Sequence, residues 1–171
     1  ILIGDGYSEK GQFPFIDKLS LNDFSSNRIY KSSYTDKLED ILDFDTKKNQ
    51  LLVRIESKSD YPNYYFKSLN GRRINKITDF KNPFDNLNQV DKEVISYKRN
   101  DGVELSGVLY LPIGYNKASK EKMPMILWAY PREFKDKNSA SQNLNNPNEF
   151  INPYYGSMVY WVTKGYVILD D

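Results

Sequence analysis

The chain has 171 residues, 39% hydrophobic and 27% charged, the profile of a globular protein with one good core or two small ones. Its 24 basic and 23 acidic side chains leave a formal net charge of +1, which argues against the overall basic footprint of a nucleic-acid-binding domain. Without cysteine or histidine it can form no disulfide and offer no thiolate nucleophile, and it lacks the commonest zinc ligand and general base, so neither a metal site nor a cofactor is expected. Acidic groups such as Asp36 to Asp45 lack the glycine-centred alternation of a calcium loop. No apolar run is long enough for a membrane span.

An opening in mid-strand at Ile1, without Met, reads as a chain that has lost its true N-terminus. From there to about Phe80, short β-branched or aromatic runs alternate with turn residues, and an aromatic share of 15% suits a pleated, half-buried surface. Ile1-Leu2-Ile3 runs into the Gly4-Asp5-Gly6 turn. Phe13 to Leu21 alternates, with Phe13, Phe15, Leu19 and Leu21 as its apolar positions, and Arg28 to Lys31 makes a further strand. Asp40 to Asp45 alternates as well, and Leu51 to Glu56 is the clearest strand of this half. Sliding the region on itself by about 48 residues sets Ile1–Ile3 against Leu51–Val53, Lys18–Asn22 against Phe66–Asn70, and Arg28–Tyr30 near Arg73–Lys76. That period fits four-stranded propeller blades, the alternative being an ordinary meander with accidental similarity.

Asn82-Pro83-Phe84-Asp85-Asn86-Leu87-Asn88 reads as a linker, dividing the chain into residues 1–85 and 86–171. Beyond it, Lys92–Lys98 and Leu105–Leu111 are strands joined through an Asp101-Gly102 hairpin turn. Met125 to Ala129 is a continuous apolar run, the pattern of a strand buried on both faces of a mixed or parallel sheet. A long Asn- and Ser-rich loop follows from Lys135 to Pro153. Ser157–Lys164 has helical spacing, with Met158, Trp161 and Val162 on one face and Gly165 as C-cap; Tyr166–Leu169 begins another buried strand.

The wording of several segments is specific. Residues Tyr97 to Tyr115 (YKRNDGVELSGVLYLPIGY) resemble the start of the catalytic domain in the prolyl oligopeptidase family of serine peptidases. Trp128–Phe134 and Trp161–Tyr166 are most similar to its glutamyl endopeptidase branch, as are Glu56-Ser57-Lys58 and Pro62-Asn63-Tyr64 upstream. The resemblance implies C-terminal blades of a β-propeller followed by the first strands of an α/β-hydrolase domain. It also implies peptide hydrolysis through an acyl-enzyme, possibly after Glu, with a peptide as substrate. The nucleophile elbow Gly-x-Ser-x-Gly occurs nowhere in the 171 residues, so the catalytic triad cannot be assigned here and the chain by itself is expected to be inactive.

One catalytic role can be carried over: the family's oxyanion tyrosine, in the turn after the strand matching Met125–Ala129, falls on Tyr130. A preorganised O–H donor there suits the negative charge that acyl transfer develops on a carbonyl oxygen. Read from the residues alone, Tyr130 is equally a turn or core aromatic. Many relatives have Gly after that tyrosine, and Pro131 is typical only of the glutamyl endopeptidase-like branch. Arg132 is a candidate for binding the carboxylate of an acidic substrate side chain, the alternative being an ion pair with Glu133 or Asp136. Two other functional readings stay open, a non-catalytic protein-binding module and an esterase-type hydrolase. The resemblance places the protein in the secreted or periplasmic space of a bacterium. Unpaired strand edges point to a partner chain or to further residues of the same protein.

Overall fold

In the computed structural model, which describes residues 1–8, 11–119, 121–129 and 146–170, the chain divides into two compact units. The first comprises Ile1–Pro83 with Asn148–Phe150, and the second Phe84–Pro147 with Ile151–Asp171.

The first unit opens with β1 (Leu2–Gly4), the short strands β2 (Tyr7–Ser8) and β3 (Gly11–Gln12), β4 (Phe15–Leu19) and β5 (Ser26–Lys31). β2 and β3 pair as a hairpin, and β1, β4 and β5 form an antiparallel sheet in that order. Along Phe13–Leu21 the apolar face expected from Phe13, Phe15, Leu19 and Leu21 is not the core face: Ile16 is fully in the core, while Phe15 stays partly exposed beneath the Arg28 guanidinium, 3.7 Å from its ring centroid, and the register shift at Ile16/Asp17 puts an extra residue, Ile29, on β5. Next come β6 (Leu38–Asp45), β7 (Gln50–Glu56), β8 (Asn63–Ser68) and β9 (Ile74–Lys76), a four-stranded antiparallel meander in sequence order. The alternation expected over Asp40–Asp45 is broken by a bulge between Ile41 and Asp43. The extra residue lets Ile41 and Phe44, three apart, both pack on the core and leaves Leu42 exposed.

β7 is one of the two inner strands, and its period of two puts Leu51, Val53 and Ile55 into a core shared with Ile16 and Tyr30. Among these apolar residues lies a closed polar group. Lys67 Nζ donates to Glu39 Oε1 at 2.9 Å and to the Tyr30 hydroxyl at 2.7 Å, and Tyr30 donates to Glu39 Oε2 at 2.7 Å. The ammonium also sits 4.7 Å from the Tyr34 ring centroid. Burial, with the Glu39 charge behind it, holds the Tyr30 hydroxyl far above the ordinary phenol range and keeps it a donor. Tyr30 comes from the first sheet and the other two from the second, so the network joins the sheets in one register.

The second unit contains β10 (Asp91–Lys98), β11 (Glu104–Leu111), β12 (Met125–Trp128) and β13 (Val167–Asp170), in sheet order β10-β11-β13-β12. β10 and β11 form the hairpin expected from Asp101-Gly102, with Gly102 at φ 88°. β13 runs antiparallel to β11 and parallel to β12, making a mixed sheet. Segment 82–88 is no loose tether on the second unit's side. It closes a 3₁₀ turn at Asp85–Leu87, and Leu87 and Val90 enter a core with Val108, Tyr110, Ile151, Val159, Val162 and Ile168. The helical segment is a 3₁₀ helix, Met158–Lys164, capped by the Ser157 hydroxyl accepting from Val159 N–H and ended by Gly165 in the left-handed region. Three residues per turn align Val159 with Val162 as the buried pair and leave Trp161, expected inside, 47% exposed against Tyr166.

Replacing Lys67 by Met alone leaves the Glu39 carboxylate buried without its cation and is expected to cost about 3–5 kcal/mol. Adding Glu39→Gln removes the stranded charge and should restore most of the loss, read from the urea midpoint. A single substitution costing under about 1 kcal/mol would mean that the pair is not held out of water.

Candidate active site

In an open α/β sheet, ligands bind beyond the carboxyl ends of the strands, because the chain reverses there and leaves loops free to carry polar groups. In the second unit that end is set by the parallel pairing of β12 and β13, Met125 opposite Val167 through Trp128 opposite Asp170. The register is locked from both sides. Val167 N–H donates to the Pro124 carbonyl at 2.9 Å, and Gly107 lets β11 close on β13, where an added Cβ would lie 3.0 Å from Leu169 Cδ1 and 3.1 Å from the Asp170 carbonyl. β12 departs from the doubly buried strand expected of its apolar run. It is the edge strand of the described sheet, with Met125 57% and Leu127 59% exposed. Its period-2 neighbours Met125 and Leu127 thus share one face that nothing in the described residues covers.

Tyr130 and Arg132, the two site residues expected from the sequence, both lie outside the described residues. What the structure does fix is the strand that leads to them, which ends at Trp128.

Partway along the same connection, Asn148–Phe150 belong with the first unit. Asn148 Nδ2 donates to the Thr35 carbonyl at 2.9 Å, Phe150 N–H donates to Glu56 Oε2 at 2.8 Å, and the Phe150 ring meets Tyr61 edge-on at 5.2 Å. Glu56 is buried at the end of β7, and its second oxygen faces Arg54 Nη2 at 3.3 Å, which also pairs with Asp40 at 2.6 Å. Burial pushes the Glu56 carboxyl above its usual range, partly opposed by the Phe150 N–H and by Arg54. Reading the sequence for motifs missed Glu56, Glu39 and Lys67 as structural polar residues. The signal for Lys67 was available, since Asn63, Tyr65 and Lys67 alternate on one face of β8 and Tyr65 packs on the core. Among the described residues no three His, Cys, Asp or Glu side chains gather as a metal site, and no helix is long and apolar enough to cross a membrane.

No family model matches the chain. Over an alignment 179 positions long it is 34% identical to a probable chloroplastic glutamyl endopeptidase of Oryza sativa subsp. japonica, and 32% identical to the protein of that name in Arabidopsis thaliana. Each alignment covers 99% of this chain and 19% of the relative, so the chain spans about a fifth of their length. Among solved structures, oligopeptidase B from Trypanosoma brucei with covalently bound antipain superposes with a TM-score of 0.57 at 14% identity, over 96% of this chain and 22% of that one. The isopeptidase AtxE2 in its apo form gives 0.53 at 14% identity, over 92% and 21%. At that identity the likeness is one of fold. With it the two strand systems are C-terminal blades of a β-propeller and the N-terminal strands of an α/β-hydrolase domain.

Because burial raises the folded-state pKa of Glu56, the stability it contributes is complete below the ordinary carboxylate value and is lost as pH rises through the raised one. As pH rises above the ordinary carboxylate value of about 4, the parent protein should therefore lose stability relative to a Glu56→Gln variant, read as the difference in Tm. A parent that gains on the variant over that range would show that Arg54 and the Phe150 N–H outweigh burial.

Proposed function

From a chain that belongs, over nearly its whole length, to the glutamyl endopeptidase-like branch of the prolyl oligopeptidase family, we infer that the protein containing it is a serine peptidase. It hydrolyses peptide bonds through an acyl-enzyme. The observation that carries this reading is the 34% identity over 99% of the chain to a probable glutamyl endopeptidase.

In that reaction a serine attacks the scissile carbonyl, the carbonyl oxygen gains negative charge, and a base takes the serine proton. Neither nucleophile nor base comes from these 171 residues, which hold no histidine and no Gly-x-Ser-x-Gly elbow. The contribution of this chain is a donor for the oxyanion. In the sequence Tyr130 comes two residues after Trp128, the last residue of β12. A phenol O–H held there meets charge that appears only as the tetrahedral intermediate forms, so it lowers the barrier without tightening substrate binding, by about 3 kcal/mol. Arg132 is assigned to the carboxylate of an acidic side chain of the substrate, which a planar guanidinium accepts through two parallel hydrogen bonds. The 171-residue polypeptide alone has no turnover, since a lone donor has no attacking group to serve.

In the whole protein, Tyr130→Phe should lower kcat by about 10²–10³ with KM nearly unchanged, on a peptide substrate with Glu before the scissile bond. A loss confined to KM would remove the oxyanion role, and a parent that cleaves esters but no peptide would move the reading to an esterase. Arg132→Gln should raise KM for that substrate about tenfold and leave a Gln-containing analogue unaffected. Equal effects on both would make Arg132 a structural ion-pair partner.

A further inference from the structure

The first unit carries a groove. It has a volume of about 570 Å³, within the range of clefts that hold small ligands, and lies between Ile29 of β5, the β6–β7 turn and the β8–β9 hairpin. Its walls are fixed by hydrogen bonds that use up some polar groups and leave others open. Leu69 N–H donates to the Asn49 carbonyl at 3.0 Å, tying one turn to the other. Ser68 Oγ accepts from Arg73 N–H at 3.0 Å and donates to Asn70 Oδ1 at 2.8 Å, and Asn70 Oδ1 accepts from Arg72 N–H at 3.1 Å. Gly71, at φ 71°, completes the hairpin and donates to the Ser68 carbonyl at 2.8 Å.

What remains is a set of side chains facing no protein group. Among the described residues the Arg73 guanidinium has no ion pair or hydrogen bond, and the same holds for the side-chain amides of Asn49, Gln50 and Asn75. Lys48 adds a second cation, held only loosely by Asp45 at 3.6 Å across an exposed turn. No carboxylate lines the groove. Phe66, Leu69 and Ile29 supply its apolar surface. An unpaired guanidinium beside a loosely held ammonium selects an anion, and carboxamides that each offer a donor and an acceptor match peptide groups. The charge is too sparse for a nucleic-acid backbone, which needs a continuous basic track.

We propose that this groove binds an extended acidic peptide, with Arg73 and Lys48 taking its carboxylates and Asn49, Gln50 and Asn75 its backbone. Because the walls are already tied, binding orders little of the protein. The proposal needs no turnover and stands whether or not the peptidase reading holds.

The test is fluorescence anisotropy of the whole protein with a labelled Gly-Glu repeat hexapeptide and with its Gly-Gln counterpart. The Gly-Glu peptide should bind about tenfold or more tightly than the Gly-Gln peptide, and an Arg73→Gln, Lys48→Gln double variant should lose a similar factor. Arg72→Gln, a neighbouring cation that does not line the groove, should leave affinity unchanged. All three substitutions are at exposed turn residues, and an unchanged Tm verifies folding. Equal affinity of parent and double variant would overturn the proposal, as would equal binding of the two peptides. Displacement of the peptide by inorganic phosphate at equal concentration would also overturn it, since that outcome describes an anion site with no use for peptide groups.

Discussion

Parallel pairing of β12 with β13 is the constraint on which the functional half of the chain turns. Two antiparallel strands can be joined by a two-residue turn, but parallel neighbours need a crossover that returns to the starting end of the sheet. Between Trp128 and Val167 the chain must therefore travel, and the residues proposed for the reaction fall in that stretch of the sequence. Tyr130 and Arg132 open it, Asn148–Phe150 attach to the first unit partway along, and the 3₁₀ helix Met158–Lys164 brings it back to the sheet. Gly107 serves the same constraint from the other side, because a Cβ there would sit only 3.1 Å from the Asp170 carbonyl oxygen, a tight contact against β13.

The first unit solves a different problem with charges. Two stacked sheets of mostly short strands offer a small apolar core, and small cores specify relative register weakly. The Tyr30–Glu39–Lys67 network supplies what the apolar residues do not. Each of its members satisfies the others, so the network costs little when the sheets meet in one register and a great deal in any other. Glu56 works in a related way at the end of β7, offering a buried acceptor that the Phe150 N–H and Arg54 fill.

Much of this was legible in the sequence, for physical reasons that also explain what was not. The repeat offset by about 48 residues corresponds to real topology: β1, β4 and β5 stand to one another as β7, β8 and β9 do, each set a three-strand antiparallel run. The hairpin at Asp101-Gly102 and the cap at Gly165 were readable because glycine φ preferences are local. Failures came where tertiary packing overrides local pattern. A one-residue bulge at Ile41/Asp43 defeated strict alternation, and Trp161 lies outside because a 3₁₀ turn, unlike an α turn, aligns Val159 with Val162. β12 has the composition of a doubly covered strand, yet composition does not say what covers it. The attachment of Asn148–Phe150 depends on a backbone N–H and a carboxylate 94 positions apart, which no local pattern encodes.

The central claim is that the connection leaving β12 supplies an oxyanion donor to a peptidase reaction. Its most direct test is a crystal structure of the whole protein with a peptidyl aldehyde bound to the nucleophilic serine. The account predicts the Tyr130 hydroxyl at about 2.7–3.1 Å from the hemiacetal oxygen. A hydroxyl more than about 3.5 Å away, with another donor in its place, would contradict it.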